Sequence, residues 1–220
     1  MFDSQVNKMI LEGIGQTLYM TLFSSFLAYV IGLPLGILLV VTDKDGIKPN
    51  RIINLIFGII INFARSVPFI ILLIAVIPLT RAIVGKAIGS NAVVVPLVIA
   101  SAPYIARLVE SSVKEVDFGV IEAAKSMGAS TMQIIFKVLL PEAKPALLVG
   151  CAIAVTTILG YSAMAGFVGG GGLGDIAIRY GYYRYQTDIM LFTVAILVII
   201  VQILQELGMR LSVFSDKRNR

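Results

Sequence analysis

Residues 13–42 form an unbroken run without Asp, Glu, Lys or Arg. At ~1.5 Å per helical residue, about 20 such positions cross the hydrocarbon of a bilayer. Further runs follow at 52–80, interrupted only by Arg65, and at 87–106, 145–174 and 189–205. Only 14% of the 220 residues are charged, against roughly 25% in soluble domains, while 58% are hydrophobic. A soluble fold would need an implausibly large core. The runs predict an all-α membrane protein with five transmembrane helices, at about 15–41, 52–79, 90–112, 144–166 and 187–208. One membrane domain over 1–220, with its core at about 13–208, accounts for the chain.

Five spans put the termini on opposite sides, and the Lys/Arg bias decides which side is cytoplasmic. Lys44, Lys48, Arg51, Arg107, Lys114, Lys125, Lys137, Lys144, Arg210, Lys217, Arg218 and Arg220 share one side. Lys8, Arg81, Lys86, Arg179 and Arg184 share the other. The 12 to 5 excess makes the first side cytoplasmic, with the N-terminus outside and the C-terminus inside. The net charge of +5 thus reflects membrane topology, and no nucleic-acid partner is expected. The opening MFDSQVNKMILEG lacks a basic n-region, and the apolar run after it is too long for a signal-peptide core, so it reads as a retained first span. Without His, and with Cys151 as the single cysteine, zinc and haem sites of the usual kinds are not expected. No cofactor is expected.

The segment at about 113–143 breaks the apolar pattern with EAAKSMGASTMQIIFKVLLPEA, residues 122–143. Asp117 is placed to cap a helix over about 118–127, and Gly128 suits the left-handed position that ends it. Ser130 and Gln133 have capping-box spacing for a second helix. Pro141 resists continuing that helix and biases Leu140 away from helical geometry. Two short helices with a sharp bend are expected. Each is too short to be stable alone in water, so each needs packing. Ile121 and Ala124 on the first, and Met132, Ile135 and Leu139 on the second, are the expected packing faces. Two readings follow: an interfacial loop lying on lipid headgroups, or a docking element for a cytosolic partner. For docking, Ala123 and Ala124 allow close approach and Glu122 offers a directional acceptor.

Within the spans, Arg65 in NFARSVPFI is the costly residue, since a charge mid-membrane normally faces protein or water. It either pairs with a carbonyl or a carboxylate such as Glu110, or lines a pathway. Pro68 frees a carbonyl and is placed to bend the helix there. Asn62, Ser101, Tyr104, Tyr161 and Ser162 are polar residues in or near spans, each serving as helix–helix glue or as a pathway group. Tyr161 and Met164 share a helical face, and Met164 offers a polarisable surface. Gly32 and Gly36 form a GxxxG, a weak signal of close helix packing.

The stretch GYSAMAGFVGGGGLGDIAIRYGYYRY, residues 160–185, contains a nominal G-x-G-x-x-G at 169–174. No strand precedes it and no P-loop lysine accompanies it, so nucleotide binding is not expected of this chain. The glycines read as a tight turn ending the fourth span. The tyrosines and arginines after them suit an interfacial belt on the outer face.

The 122–143 segment resembles the EAA loop of type I ABC-importer permeases, with Glu122, Ala123, Ala124, Gly128, Leu140 and Pro141 in matching order and spacing. GIGQTLYMTL, RSVPFIILL, APYIARLVE and GYSAMAGFVGGGGLG carry the likeness across nearly the whole chain, and narrow it to the methionine-importer permeases. The resemblance implies the type I permease fold, a homodimer forming the pathway, and two copies of a cytosolic ABC ATPase docked on the EAA loops. It also implies a methionine-binding protein at the outer face, for which Arg179, Tyr182 and Tyr183 are candidate contacts. Tyr161, Ser162, Met164, Arg65, Asn62 and Tyr104 are the candidate pathway or substrate residues. The expected role is methionine import across the bacterial cytoplasmic membrane, with no catalytic residue on this subunit. Two alternatives stand. One is a permease of the same fold for another small solute, such as another amino acid or a phosphonate. The other is a stand-alone secondary transporter or membrane enzyme, disfavoured because the apolar runs carry no Asp or Glu and the chain has no His.

Overall fold

The structure, a computed structural model, describes residues 4–215, and every regular element among them is helical. Helix α1 spans Ser4–Thr42, α2 Arg51–Ser66, α3 Phe69–Ala75, α4 Ile77–Val84 and α5 Ser90–Lys114. After these come α6 at Phe118–Ser126, α7 at Thr131–Ile134, α8 at Leu140–Met164, α9 at Gly172–Ile176 and α10 at Thr187–Ser215. Among the described residues, four stretches are long and apolar enough to cross a membrane: Ser4–Thr42, Ser90–Lys114, Thr131–Val168 and Thr187–Ser215.

The expected second span, 52–79, is not one straight helix. It is α2 and α3, bent by 99° at their junction, and the total reaches five only if that pair counts as one span. Pro68 is the cause. It has no N–H to give α2, it pushes Val67 away from helical geometry, and its own backbone is extended at φ −58°, ψ 136°. A new helix then starts, with the Leu72 N–H donating to the Pro68 carbonyl at 3.0 Å. The 16 residues of α2 rise only ~24 Å, less than a ~30 Å hydrocarbon core.

Boundaries also move at the first span. Helix α1 begins at Ser4 rather than near 15, because Val6, Met9, Ile10 and Ile14 recur at helical spacing and pack around Leu173, Ile176 and Ile189.

The chain divides into two compact units: Met1–Leu27, Val67–Ser101 and Val155–Gln205 form the first, and Ala28–Ser66, Ala102–Ala154 and Glu206–Arg220 the second. The first is centred on that Ile10–Leu173–Ile176–Ile189 cluster. The second has a core of Leu39, Ile61 and Ala106 with Leu35 and Phe57 against it. In the second unit the Gly32/Gly36 pair is a true contact. A Cβ on Gly32 would sit 2.8 Å from the Ala102 carbonyl oxygen, and one on Gly36 2.6 Å from that of Ala106. Backbones this close exclude any side chain, which is what small-xxx-small packing achieves where lipid removes the hydrophobic drive.

Gly36→Leu should therefore destabilise the protein by about 1–3 kcal/mol or more through overpacking. Gly15→Leu is the control, because nothing lies within 4 Å of its added Cβ. Thermal unfolding in detergent checks this: Gly36→Leu melts lower while Gly15→Leu does not.

Candidate functional site

The polar segment builds its two helices from local signals. The Asp117 carboxylate accepts from the Gly119 N–H at 2.7 Å at the start of α6. At its end Gly128 takes φ 78°. The Ala129 N–H donates to the Ala124 carbonyl and the Gly128 N–H to that of Lys125, the paired bonds of a Schellman motif. The Ser130 N–H donates to Gln133 Oε1 at 2.8 Å while the Gln133 N–H returns to Ser130 Oγ at 3.4 Å, completing the capping box of α7.

Pro141 does not end this helix, contrary to expectation. A π-helical turn at Ile135–Leu139 joins α7 to α8, and the helical run continues over Thr131–Val168. The wider turn puts Pro141 in the first turn of α8, where a missing N–H is tolerated. The inward face is Ala124, Ile134, Ile135 and Leu139, each under 9% exposed. Met132 was expected to join them but is 63% exposed. Glu122, Ala123, Gly128 and Pro141 are exposed and Leu140 is half-buried. Phe118, Val120, Met127 and Phe136 are exposed apolar neighbours. Among the described residues the Glu122 carboxylate has no partner. The pair thus exposes an unpaired carboxylate among apolar side chains.

A chain of charges runs up α5 in the same unit. Lys114 Nζ lies 2.6 Å from Asp43 Oδ2 and 2.9 Å from Glu110 Oε1. Arg107 Nη1 donates to Glu110 Oε2 at 2.6 Å. Its Nη2 crosses to α2, donating to Asn62 Oδ1 at 2.7 Å and to the Gly58 carbonyl at 3.3 Å. The Lys114 hydrogen bond holds the Asp43 carboxyl below the usual carboxylate range. A carboxyl whose folded value is lowered stabilises above its unfolded pKa and loses that contribution as pH falls through the lowered value, so the pair is intact at neutral pH.

Residue types alone do not pair these residues, although Arg107, Glu110 and Lys114 stand at i, i+3 and i+7 on one helix face. That spacing was the available signal. Glu110 is spoken for by Arg107 and Lys114. Its suggested pairing with Arg65 is therefore not found, and the Arg65 guanidinium instead lies 6.0 Å from the Tyr104 ring centroid.

In the first unit, the Tyr161 ring stacks on Phe69 with centroids 4.7 Å apart, holding the start of α3 just past the Pro68 break. Ser162 is buried at 1% exposure and donates to the Leu159 carbonyl at 2.8 Å, with Thr21 Oγ1 at 3.5 Å. That is helix–helix glue. Met164, one turn beyond Tyr161, is 45% exposed.

The glycine stretch is a turn, as expected, but a supported one. Gly171 and Gly172 both take φ 78°, a backbone that side chains resist. The N–H groups that open α9, which have no partner within that helix, are taken by α1: the Gly172 N–H donates to Gln16 Oε1 at 2.7 Å and the Leu173 N–H to Thr17 Oγ1 at 2.9 Å. Asp175, one turn on, is buried and ion-paired with Arg179. Tyr182 and Tyr183 pack edge to face and are each 63% exposed. Arg184 stacks over Tyr180 at 4.6 Å. Thr17→Val would leave the buried Leu173 N–H unpaired at a cost of about 1–3 kcal/mol. The expected result is a lowered melting temperature, with Thr17→Ser close to wild type.

Residues 32–220 match the family described as binding-protein-dependent transport system inner membrane component. A protein of Vibrio cholerae named probable D-methionine transport system permease protein MetI is 50% identical over 200 residues, covering 91% of this chain and 89% of that one. The Bacillus subtilis methionine import system permease protein MetP is 46% identical over 181 residues, 82% of each. Among solved structures, a chain of the MetNI methionine ABC transporter in an inward-facing conformation superposes with a TM-score of 0.97 at 44% identity, over 98% of this chain and all of that one. With the family pattern spanning most of its length and this fold matched almost end to end, the chain is a multi-pass membrane protein and belongs to the binding-protein-dependent transport system inner membrane components.

Proposed function

We propose that this chain is the membrane-spanning subunit of an ATP-driven importer that carries methionine inward across the bacterial cytoplasmic membrane. All 220 residues serve as one permease domain. Two copies form the pathway, each docked on one cytosolic ABC ATPase subunit, and an extracytoplasmic methionine-binding protein delivers substrate. The names of the relatives support the substrate class. The observation that carries the mechanism is the exposed α6–α7 pair, joined without a helix break to the 38-residue run Thr131–Val168. A force applied at Glu122–Gly128 acts directly on a membrane-crossing helix.

ATP binding does its work by favouring one conformation over another, since a ligand shifts an equilibrium only by its differential affinity for the two states. The Glu122 carboxylate accepts from the ATPase surface, and Ala123 and Gly128 keep that approach close. Leu140 and Pro141 set the turn through which motion enters α8. Arg65 and Tyr104 in one unit, and Tyr161 and Met164 in the other, are each candidate pathway groups: a cation suits a carboxylate and a methionine side chain suits a thioether. Asn62 and Ser162 contribute by fixing the helices that carry these groups. The outer face is the 179–185 stretch, where Arg179, Tyr182 and Tyr183 meet the binding protein. The N-terminus is outside and the C-terminus inside, in keeping with the positive-inside bias. Lys217, Arg218 and Arg220, part of that bias, lie outside the described residues.

Glu122→Lys removes the free acceptor, and Gly128→Trp both blocks approach and opposes a left-handed backbone. Each variant should insert normally and lose most uptake by the complex. Wild-type uptake by both would remove the docking assignment. For orientation, cysteines at Tyr185 and Lys125 in a Cys151→Ser background should differ in whole cells or spheroplasts. An impermeant thiol reagent should label position 185 and spare 125, and the opposite pattern contradicts the topology.

A further inference from the structure

The charges along α5 do more than neutralise one another. We propose that Arg107 is a coupling strut: it ties α2, which carries Arg65, to the helix that leads into the docking pair, so that α2 follows the docking helices when they move. This rests on the coupled-transport reading above.

Four observations within the second unit carry it. First, α5 ends at Lys114 and α6 begins at Phe118, so the end of α5 moves with the docking pair. Second, Arg107 spans the gap between helices, holding Glu110 on its own helix and both Asn62 Oδ1 and the Gly58 carbonyl on α2. Third, Asn62 precedes Arg65 by three residues on α2, so the two lie on neighbouring helical positions and the strut grips the turn that bears the cation. Fourth, the set closes its charge. Asp43 and Glu110 balance Lys114 and Arg107, and the Glu110 side chain is only 12% exposed. Pulling one member away leaves a poorly solvated charge uncompensated, which makes the set move together rather than slide. Arg107 Nε is buried without a partner, so the guanidinium gives up one bond in exchange for the reach to α2.

Arginine and lysine separate this role from charge balance alone. Lysine keeps the ion pair with Glu110, but it lacks the planar fork that also holds two acceptors on α2. The test is uptake of methionine per ATP hydrolysed by the reconstituted complex of permease, ATPase and binding protein. Arg107→Lys should assemble yet lower that ratio by about fivefold or more, the range of ordinary coupling energies. Asn62→Ala should do the same, and Asn62→Asp, which keeps the acceptor oxygen, should retain a ratio near wild type. A wild-type ratio in either Arg107→Lys or Asn62→Ala overturns the strut. So does failure of Arg107→Lys to assemble together with a wild-type ratio in Asn62→Ala, which marks a contact needed only for folding. Absence of ATP-driven methionine uptake by the wild-type complex contradicts the transport reading instead.

Discussion

In hydrocarbon there is no water to receive an unpaired N–H or C=O, and each one left over costs several kcal/mol. This fold is organised by how it meets that cost wherever a helix is interrupted. At Pro68 a new helix starts at once, as the Leu72 N–H donates to the Pro68 carbonyl. Where α7 meets α8, a π-helical turn keeps the run unbroken past a proline. Where the run Thr131–Val168 ends, Gln16 and Thr17 of α1 supply the acceptors that the first turn of α9 lacks. Each interruption sits beside a segment with a proposed job: the cation of α2, the docking pair and the outer face.

Much of this was legible because it is local. Asp117, Gly128 and the Ser130–Gln133 pair announce their caps by residue type and spacing, and all three form as read. The GxxxG at 32–36, a weak signal in any apolar run, proved to be a backbone-to-backbone contact. Pro68 was read as a bend, but its size depends on how α3 restarts, which no local rule fixes. Pro141 does not break the helix because the rule for prolines assumes α-helical register, and the π-turn before it changes the register. Met132, at the start of α7, faces outward while Ile134 and Ile135 take the core.

The charged set along α5 was hidden for a different reason. Arg107 follows the last residue of an uncharged run, so a census of flanking cations counts it as a cytoplasmic anchor. Its partners lie 45 and 49 residues away on α2, and Lys114 reaches Asp43 past the end of α1. Sequence spacing cannot choose among Arg65, Arg107 and Lys114 as the partner of Glu110; three-dimensional reach chooses. The outcome leaves Arg65 beside an aromatic ring rather than a carboxylate.

A soluble motor can drive a membrane gate only through parts that are stiff and continuous. In the proposed account the α6–α7 pair, the π-turn and α8 provide one such part, and α5 with Arg107 reaching α2 provides another. The most direct measurement is uptake of labelled methionine into proteoliposomes holding the permease with its ATPase, with binding protein on the uptake side and ATP on the motor side. Accumulation that requires ATP and is displaced by unlabelled methionine is the predicted result. Uptake that proceeds without ATP, or that follows an imposed ion gradient, or that serves another solute in place of methionine, would contradict the account.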